Sequence, residues 1–246
     1  MRKSKMRRLK NDLQATEAYR LLRTNLLYLA IDRPRAIMVT SALPQEGKTT
    51  VAANLARVCC EGGTRVLLVD GNLRRPALHK FFALDNSFGL TQALEEERHV
   101  VVQQAEPGLD LLTSGSLPDN PPDILASESM MELITFVKEK YELIIFDSPP
   151  VLSVSDTIIL AKRVDGILLV VKWSATRRDH AAEAIKCLAR ANQNILGVVL
   201  NSVNNSKQFG RQFISFEPAV VNELAPADAV TASEASAQDA FSQAAV

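Results

Sequence analysis

Short runs of apolar residues, separated by longer amphipathic stretches, punctuate residues 36–201 and leave few folds open to the chain. Ala36–Thr40, Val66–Asp70, Leu109–Thr113, Leu143–Asp147, Ile167–Lys172 and Ile195–Asn201 read as strands. Most are apolar almost without interruption, as strands covered by helices on both faces must be. Helical spacing predicts helices over Lys48–Glu61, Ser129–Tyr141, Ser155–Lys162 and Arg178–Ala191. Strand and helix in alternation give βαβ units with right-handed crossovers, hence an α/β fold with a mostly parallel sheet flanked by helices. Ligands of such sheets bind at the carboxyl ends of the strands, so the residues just past each strand are the first candidates for chemistry.

The strand Ala36–Thr40 runs through Ser41-Ala42-Leu43-Pro44-Gln45-Glu46-Gly47-Lys48-Thr49-Thr50 into a helix, the setting a P-loop needs. The pattern is G-x-x-x-x-G-K-[ST] with Ala42 in place of the first glycine. Pro44, Gln45, Glu46, Gly47, Lys48, Thr49 and Thr50 are the expected phosphate cradle, in which consecutive N–H groups and the positive end of the helix face the phosphates. Lys48 would reach the β/γ-phosphates and the Thr49 hydroxyl would ligate Mg²⁺. The competing reading is an ordinary strand-to-helix turn. Two further strands end in aspartate: VLLVD at Asp70, and LIIFD at Asp147, which continues as Ser148-Pro149-Pro150. Alone, such an aspartate is often a helix N-cap. Two of them in one sheet with a P-loop favour holding Mg²⁺, directly or through water, or polarising an attacking group.

The length of 246 residues fits one α/β domain with appendages. Lys plus Arg and Asp plus Glu number 28 each, so the chain as a whole has no electrostatic reason to seek nucleic acid. Locally the charge is uneven. Arg2, Lys3, Lys5, Arg7, Arg8 and Lys10 crowd the N-terminus, and this stretch reads either as a solvated leader or as a peripheral contact with anionic lipid. Three cysteines, Cys59, Cys60 and Cys187, fit neither a disulfide framework nor a zinc site, and point to a reducing cytoplasm. No apolar run is long enough to span a bilayer. The expected organisation is a basic leader with an N-terminal helix over 1–34, a nucleotide domain over 35–206 and a disordered acidic Ala/Ser-rich tail over 207–246. Within the first of these, Leu21, Leu22, Leu26, Leu27 and Leu29 predict a helix from Thr16 to Ile31.

Together the loop, the stretch VLLVDGNLRRP (Val66–Pro76) and the stretch LIIFDSPP (Leu143–Pro150) resemble the three nucleotide motifs of the bacterial tyrosine kinases, or BY-kinases. These are P-loop NTPases of a deviant-Walker type that regulate capsule and exopolysaccharide synthesis. A fourth stretch, with Glu17, Arg20 and Arg23, resembles the E-x-x-R-x-x-R motif through which that family forms rings; a solvated helix face with i,i+3 pairing is the bland alternative. The resemblance covers about residues 15 to 205. It implies ATP and Mg²⁺ as cofactors, with Lys48, Asp70 and Asp147 catalytic and Thr49, Asp70, Asn72 and Asp147 around the metal. It places Asn201 at the adenine base, where a turn-forming asparagine is the competing reading. It also implies a homo-oligomeric ring and, for the split kind of system, a transmembrane polysaccharide co-polymerase that activates the kinase at the inner face of the membrane.

Two departures stand out. The family's D-x-D-x-R is here Asp70-Gly71-Asn72-Leu73-Arg74, which keeps an oxygen at the third position and loses a charge. The tyrosine cluster that usually ends the family's autokinases is missing, because the only tyrosines are Tyr19, Tyr28 and Tyr141. The leading expectation is therefore an ATP-dependent protein-tyrosine kinase, and the alternative is an ATP-controlled assembly switch without kinase activity. Partition-type ATPases share the sheet but carry an extra lysine early in the loop, and Ser41–Glu46 has none.

Overall fold

The computed structural model describes residues 14–29, 33–95, 100–191 and 194–203. The basic leader Arg2–Lys10, Ile31 at the end of the first predicted helix and the predicted tail 207–246 lie outside these residues.

Seven strands form one sheet in the order β3-β4-β2-β5-β1-β6-β7. They are β1 (Ala36–Ser41), β2 (Val66–Asp70), β3 (Gln103–Glu106), β4 (Leu109–Leu112), β5 (Leu143–Asp147), β6 (Gly166–Lys172) and β7 (Ile195–Asn201). Every neighbouring pair is parallel except β3 with β4. The mostly parallel sheet is thus as expected, and its outermost strand is an addition. β3 has the sequence QQAE, polar and half-exposed, and an edge strand of that kind leaves no apolar run to read.

Helices cover both faces. A helix over residues 14–24 (α1) passes into a π-helical turn, Asn25–Leu29, so the predicted first helix is present with its last turn widened. α1 packs with α2 (Lys48–Glu61) on one face, where Leu22, Leu26, Val51, Leu55 and Val58 meet Ile37, Val39, Leu68, Ile145 and Leu168. On the opposite face α5 (Pro121–Ala126), α6 (Glu128–Lys140), α7 (Asp156–Ala161) and α8 (Arg178–Arg190) press Leu125, Leu133, Leu160 and Leu188 onto Met38, Leu67, Ile144, Phe146 and Leu169. Successive strand residues serve opposite faces, which is why β1, β2 and β5 are buried at every position and read as continuous apolar runs. Each such Leu, Ile or Val contributes about 1.5–3 kcal/mol through burial.

α6 starts where Ser127 accepts a hydrogen bond from the Met130 N–H, two residues before the predicted Ser129. The short helices α3 (Leu78–Phe82), α4 (Leu90–Glu95) and α5 span five or six residues each and are not among the expected helices, whereas the equally short α7 is. Among the described residues no helix is long and apolar enough to cross a membrane.

The chain leaves β1 through α2 and re-enters the sheet at β2, two positions away; β5 later fills the slot between them. This brings the carboxyl ends of β1, β2 and β5 side by side.

Candidate active site

The loop after β1 turns sharply at Gln45 (φ 63°) and Gly47 (φ 91°) before α2 begins at Lys48. A left-handed backbone favours glycine at position 47, and a second constraint acts there: a Cβ on Gly47 would stand 2.0 Å from Nδ2 of Asn201. Val51 N–H donates to Gly47 O as the first helical hydrogen bond, so the N–H groups of Lys48, Thr49 and Thr50 lie in the first turn, where an α-helix has no internal acceptors for them. Together with the helix dipole they make an anion site. The loop residues Pro44 and Gln45 are exposed, while Glu46 is buried with 4% of its surface accessible.

Asp70 and Asp147 end adjacent strands and are paired in register, both with no accessible surface. Gly71 makes this approach possible: its N–H donates to Asp147 O at 2.8 Å, and a Cβ there would sit 3.0 Å from both that oxygen and Leu160 Cδ2. The Asp70 carboxylate accepts from the N–H groups of Ala77 (2.9 Å) and Leu78 (3.0 Å) at Oδ2 and of Asn72 (3.3 Å) at Oδ1. Asp147 Oδ2 accepts from the Thr49 hydroxyl at 2.6 Å, while its buried Oδ1 has no protein partner. Burial raises both carboxyl pKa values well above the ordinary range. For Asp147 the neighbouring Asp70 adds to the rise, whereas the Lys48 ammonium and the Thr49 hydroxyl oppose it; at Asp70 the three N–H groups and Lys48 oppose it.

An orphaned, fully buried carboxylate oxygen beside a hydroxyl and a lysine fits a divalent cation or its water shell. Among the described residues no three His, Cys, Asp or Glu side chains cluster to hold a metal by themselves. Thr49 and Asp147 are thus in direct contact at the carboxyl ends of the strands. Asn72 turns its Oδ1 to the Arg75 N–H at 3.2 Å, closing a local turn.

Arg74, next in the same motif, forms a two-pronged pair with Asp156, Nε to Oδ2 at 2.7 Å and Nη2 to Oδ1 at 3.0 Å. Asp156 has no exposed side-chain surface, so the pair ties the segment after β2 to α7. Arg74 stood in the motif, but its partner 82 residues later carried no signal of its own.

Asn201, at the end of β7, donates from Nδ2 to Glu46 O at 2.9 Å and so lies against the loop. Glu17, Arg20 and Arg23 lie elsewhere, at the C-terminal end of α2. Arg20 contacts Glu17 at 2.6 Å and Glu61 at 3.4 Å, and Arg23 Nη1 donates to Val58 O at 2.7 Å. With 14 residues, α2 separates this cluster from the P-loop by roughly 20 Å. Among functional contacts, sequence reasoning missed the use of the Glu46 side chain and its partner Thr176, because nothing in the local pattern links a loop residue to a turn 130 positions away.

Residues 37–238 match the CobQ/CobB/MinD/ParA nucleotide binding domain. Tyrosine-protein kinase YwqD of Bacillus subtilis is 41% identical over 196 residues, spanning 78% of this chain and 83% of its own length. Tyrosine-protein kinase etk of Escherichia coli is 35% identical over 193 residues, and the match spans 77% of this chain but 27% of that longer protein. The solved kinase domain of the Escherichia coli tyrosine kinase ETK superposes with a TM-score of 0.72 at 31% identity, covering 80% of each chain.

Proposed function

The chain belongs to the CobQ/CobB/MinD/ParA nucleotide-binding family and, within it, to the bacterial tyrosine kinases, and from that premise we propose that it transfers the γ-phosphoryl group of ATP to protein tyrosine in the control of capsular or exopolysaccharide synthesis and export. The observation that carries the reading is the convergence of Lys48, Thr49 and Asp147 at the mouth of the P-loop, with the second buried aspartate, Asp70, alongside.

In the proposed reaction the acceptor phenol oxygen bonds to the γ-phosphorus, the bond to the β,γ-bridging oxygen breaks, and ADP leaves. Lys48 and the N–H groups opening α2 hold the phosphates, which places catalysis in positioning and charge neutralisation. Thr49 and Asp147 would hold Mg²⁺, which when bound would supply charge neutralisation to the phosphates. Asp70, whose raised affinity for protons suits a base working near neutral pH, orients the acceptor hydroxyl and takes its proton. Asn72 contributes a turn and no charge.

The proposed acceptor lies on another polypeptide: the Tyr141 hydroxyl donates to Asp110 at 2.8 Å, and the half-buried Tyr19 hydroxyl bonds the Asn54 side chain. We place the chain in the cytoplasm at the inner face of the membrane, in a homo-oligomeric ring built with Glu17, Arg20 and Arg23 and activated by a transmembrane co-polymerase. Incubation of the full chain and a cytoplasmic fragment of that partner with labelled ATP should give phosphotyrosine on the partner and none on this chain. ATP hydrolysis without phosphotyrosine on either protein would replace the kinase by a nucleotide-controlled assembly switch.

A further inference from the structure

Glu46 places a buried carboxylate in the phosphate-binding loop, where its charge opposes the charge the loop must attract. Both of its side-chain oxygens are engaged by protein donors. Oε2 accepts from the Leu43 N–H at 3.0 Å, closing the loop on itself, and Oε1 accepts from the Thr176 hydroxyl. Thr176 lies in the turn after β6, and that turn is locked to Lys172 in both directions: Lys172 N–H donates to Thr176 Oγ1 at 2.9 Å and Thr176 N–H to Lys172 O at 3.0 Å. The Glu46 carbonyl is held separately by Asn201. Glu46 is therefore gripped at its carboxylate from the turn after β6 and at its carbonyl from the end of β7. The residues on either side, Gln45 and Gly47, carry the two left-handed backbone conformations of the loop.

We propose that Thr176 is a positioning residue for the nucleotide, acting through the buried Glu46 carboxylate to hold the P-loop amides in their phosphate-binding geometry. A non-glycine residue in the left-handed region, here Gln45, relaxes when its surroundings stop enforcing that conformation. The contact between a neutral hydroxyl and a buried carboxylate is a charge-assisted hydrogen bond, among the stronger of its kind. Losing it leaves a carboxylate oxygen without a partner in a buried setting, and the loop regains a partner only by moving. Because Thr176 acts through Glu46, its effect falls on the affinity for every nucleotide that fills the β-phosphate position. The turn after β6 and the P-loop thereby become one mechanical unit.

The inference rests on the nucleotide reading of the loop, and the experiment separates the two. Calorimetry with ADP and with a non-hydrolysable ATP analogue, each with Mg²⁺, is carried out on the full chain and on its Thr176→Val and Thr176→Ser variants. Thr176→Val keeps shape and loses the hydroxyl; it should weaken both nucleotides by roughly tenfold, while Thr176→Ser binds within about twofold of the parent. Thermal unfolding without nucleotide reports fold integrity for each variant. No binding by the parent chain defeats the nucleotide reading itself. Parent binding with an unchanged Thr176→Val overturns the role of Thr176, and so does a Thr176→Ser variant as weak as Thr176→Val, because the hydroxyl would then not be the group that matters.

Discussion

Asp147→Asn should separate the two demands placed on the paired strand ends, because it removes a buried charge while keeping nearly the same shape. Asp147 is fully buried, one oxygen bonded only to Thr49 and the other to no protein atom, with Asp70 beside it in register. Its pKa is raised by burial and then by Asp70, with Lys48 offsetting part of the rise. In the unfolded chain an aspartate ionises at about pH 4. The folded protein keeps the proton to higher pH, so between the ordinary carboxylate range and neutrality it binds more protons than the unfolded chain, and stability falls as pH rises through that interval. The asparagine variant has no such loss. Its stability relative to the parent should be near zero around pH 4 and grow to about 2–4 kcal/mol at pH 8, because each tenfold gain in proton affinity on folding is worth about 1.4 kcal/mol. For a chain of this length that corresponds to a melting temperature roughly 5–15 °C higher. Circular dichroism melts at pH 5 and pH 8, in chelator and without nucleotide, measure it. The same variant should lose Mg²⁺-dependent ATP binding by roughly a hundredfold, since the cation loses a carboxylate ligand or its water shell an anchor. A variant that melts below the parent at pH 8, or whose margin does not change with pH, would refute the account of a site that stores electrostatic strain for the metal.

Gly47→Ala should weaken ATP binding at least roughly tenfold and cost about 1–2 kcal/mol of stability, from the left-handed backbone at this position. Adding Asn201→Ala should relieve the clash at the new Cβ and leave the backbone penalty, as denaturant titration of both variants would reveal. Arg74→Ala should destabilise by about 1–3 kcal/mol, a discounted figure because Arg74 is partly exposed while Asp156 is fully buried. Asp156→Asn in the same background should recover part of that loss; if it deepens the loss instead, the pair is not the source.

The parts of this fold that bury apolar surface on both faces were readable from the chain, and the parts that do not were hidden. β1, β2 and β5 announce themselves because every position is buried. β3 lies at an edge with a polar sequence, and of the four helices under two turns long, α3, α4, α5 and α7, only α7 is expected from the chain, since so short a segment carries little of the helical period. At the site the split is similar. Lys48, Thr49, Asp70 and Asp147 follow from strand ends and a loop pattern, since the chemistry dictates residue type at fixed positions. Asp70 holding α3 through the N–H groups of Ala77 and Leu78, Asn72 spending its oxygen on Arg75, and Glu46 reaching Thr176 depend on side-chain direction, which a linear pattern does not record.

The late insertion of β5 between β1 and β2 has a consequence during synthesis. A nascent chain that has left the ribosome only as far as Glu142 already carries the whole phosphate loop, yet the strand that should lie between its first two is still unmade. Both neighbours then expose a row of unpaired backbone groups flanked by bare Leu, Ile and Val, a surface that invites chaperones or wrong partners. On the proposed reading of the site, nucleotide does not help such an intermediate to fold, because Asp147 is the last of the P-loop and aspartate residues to be translated. Truncation products ending before Asp147 should be inert in nucleotide binding and aggregation-prone.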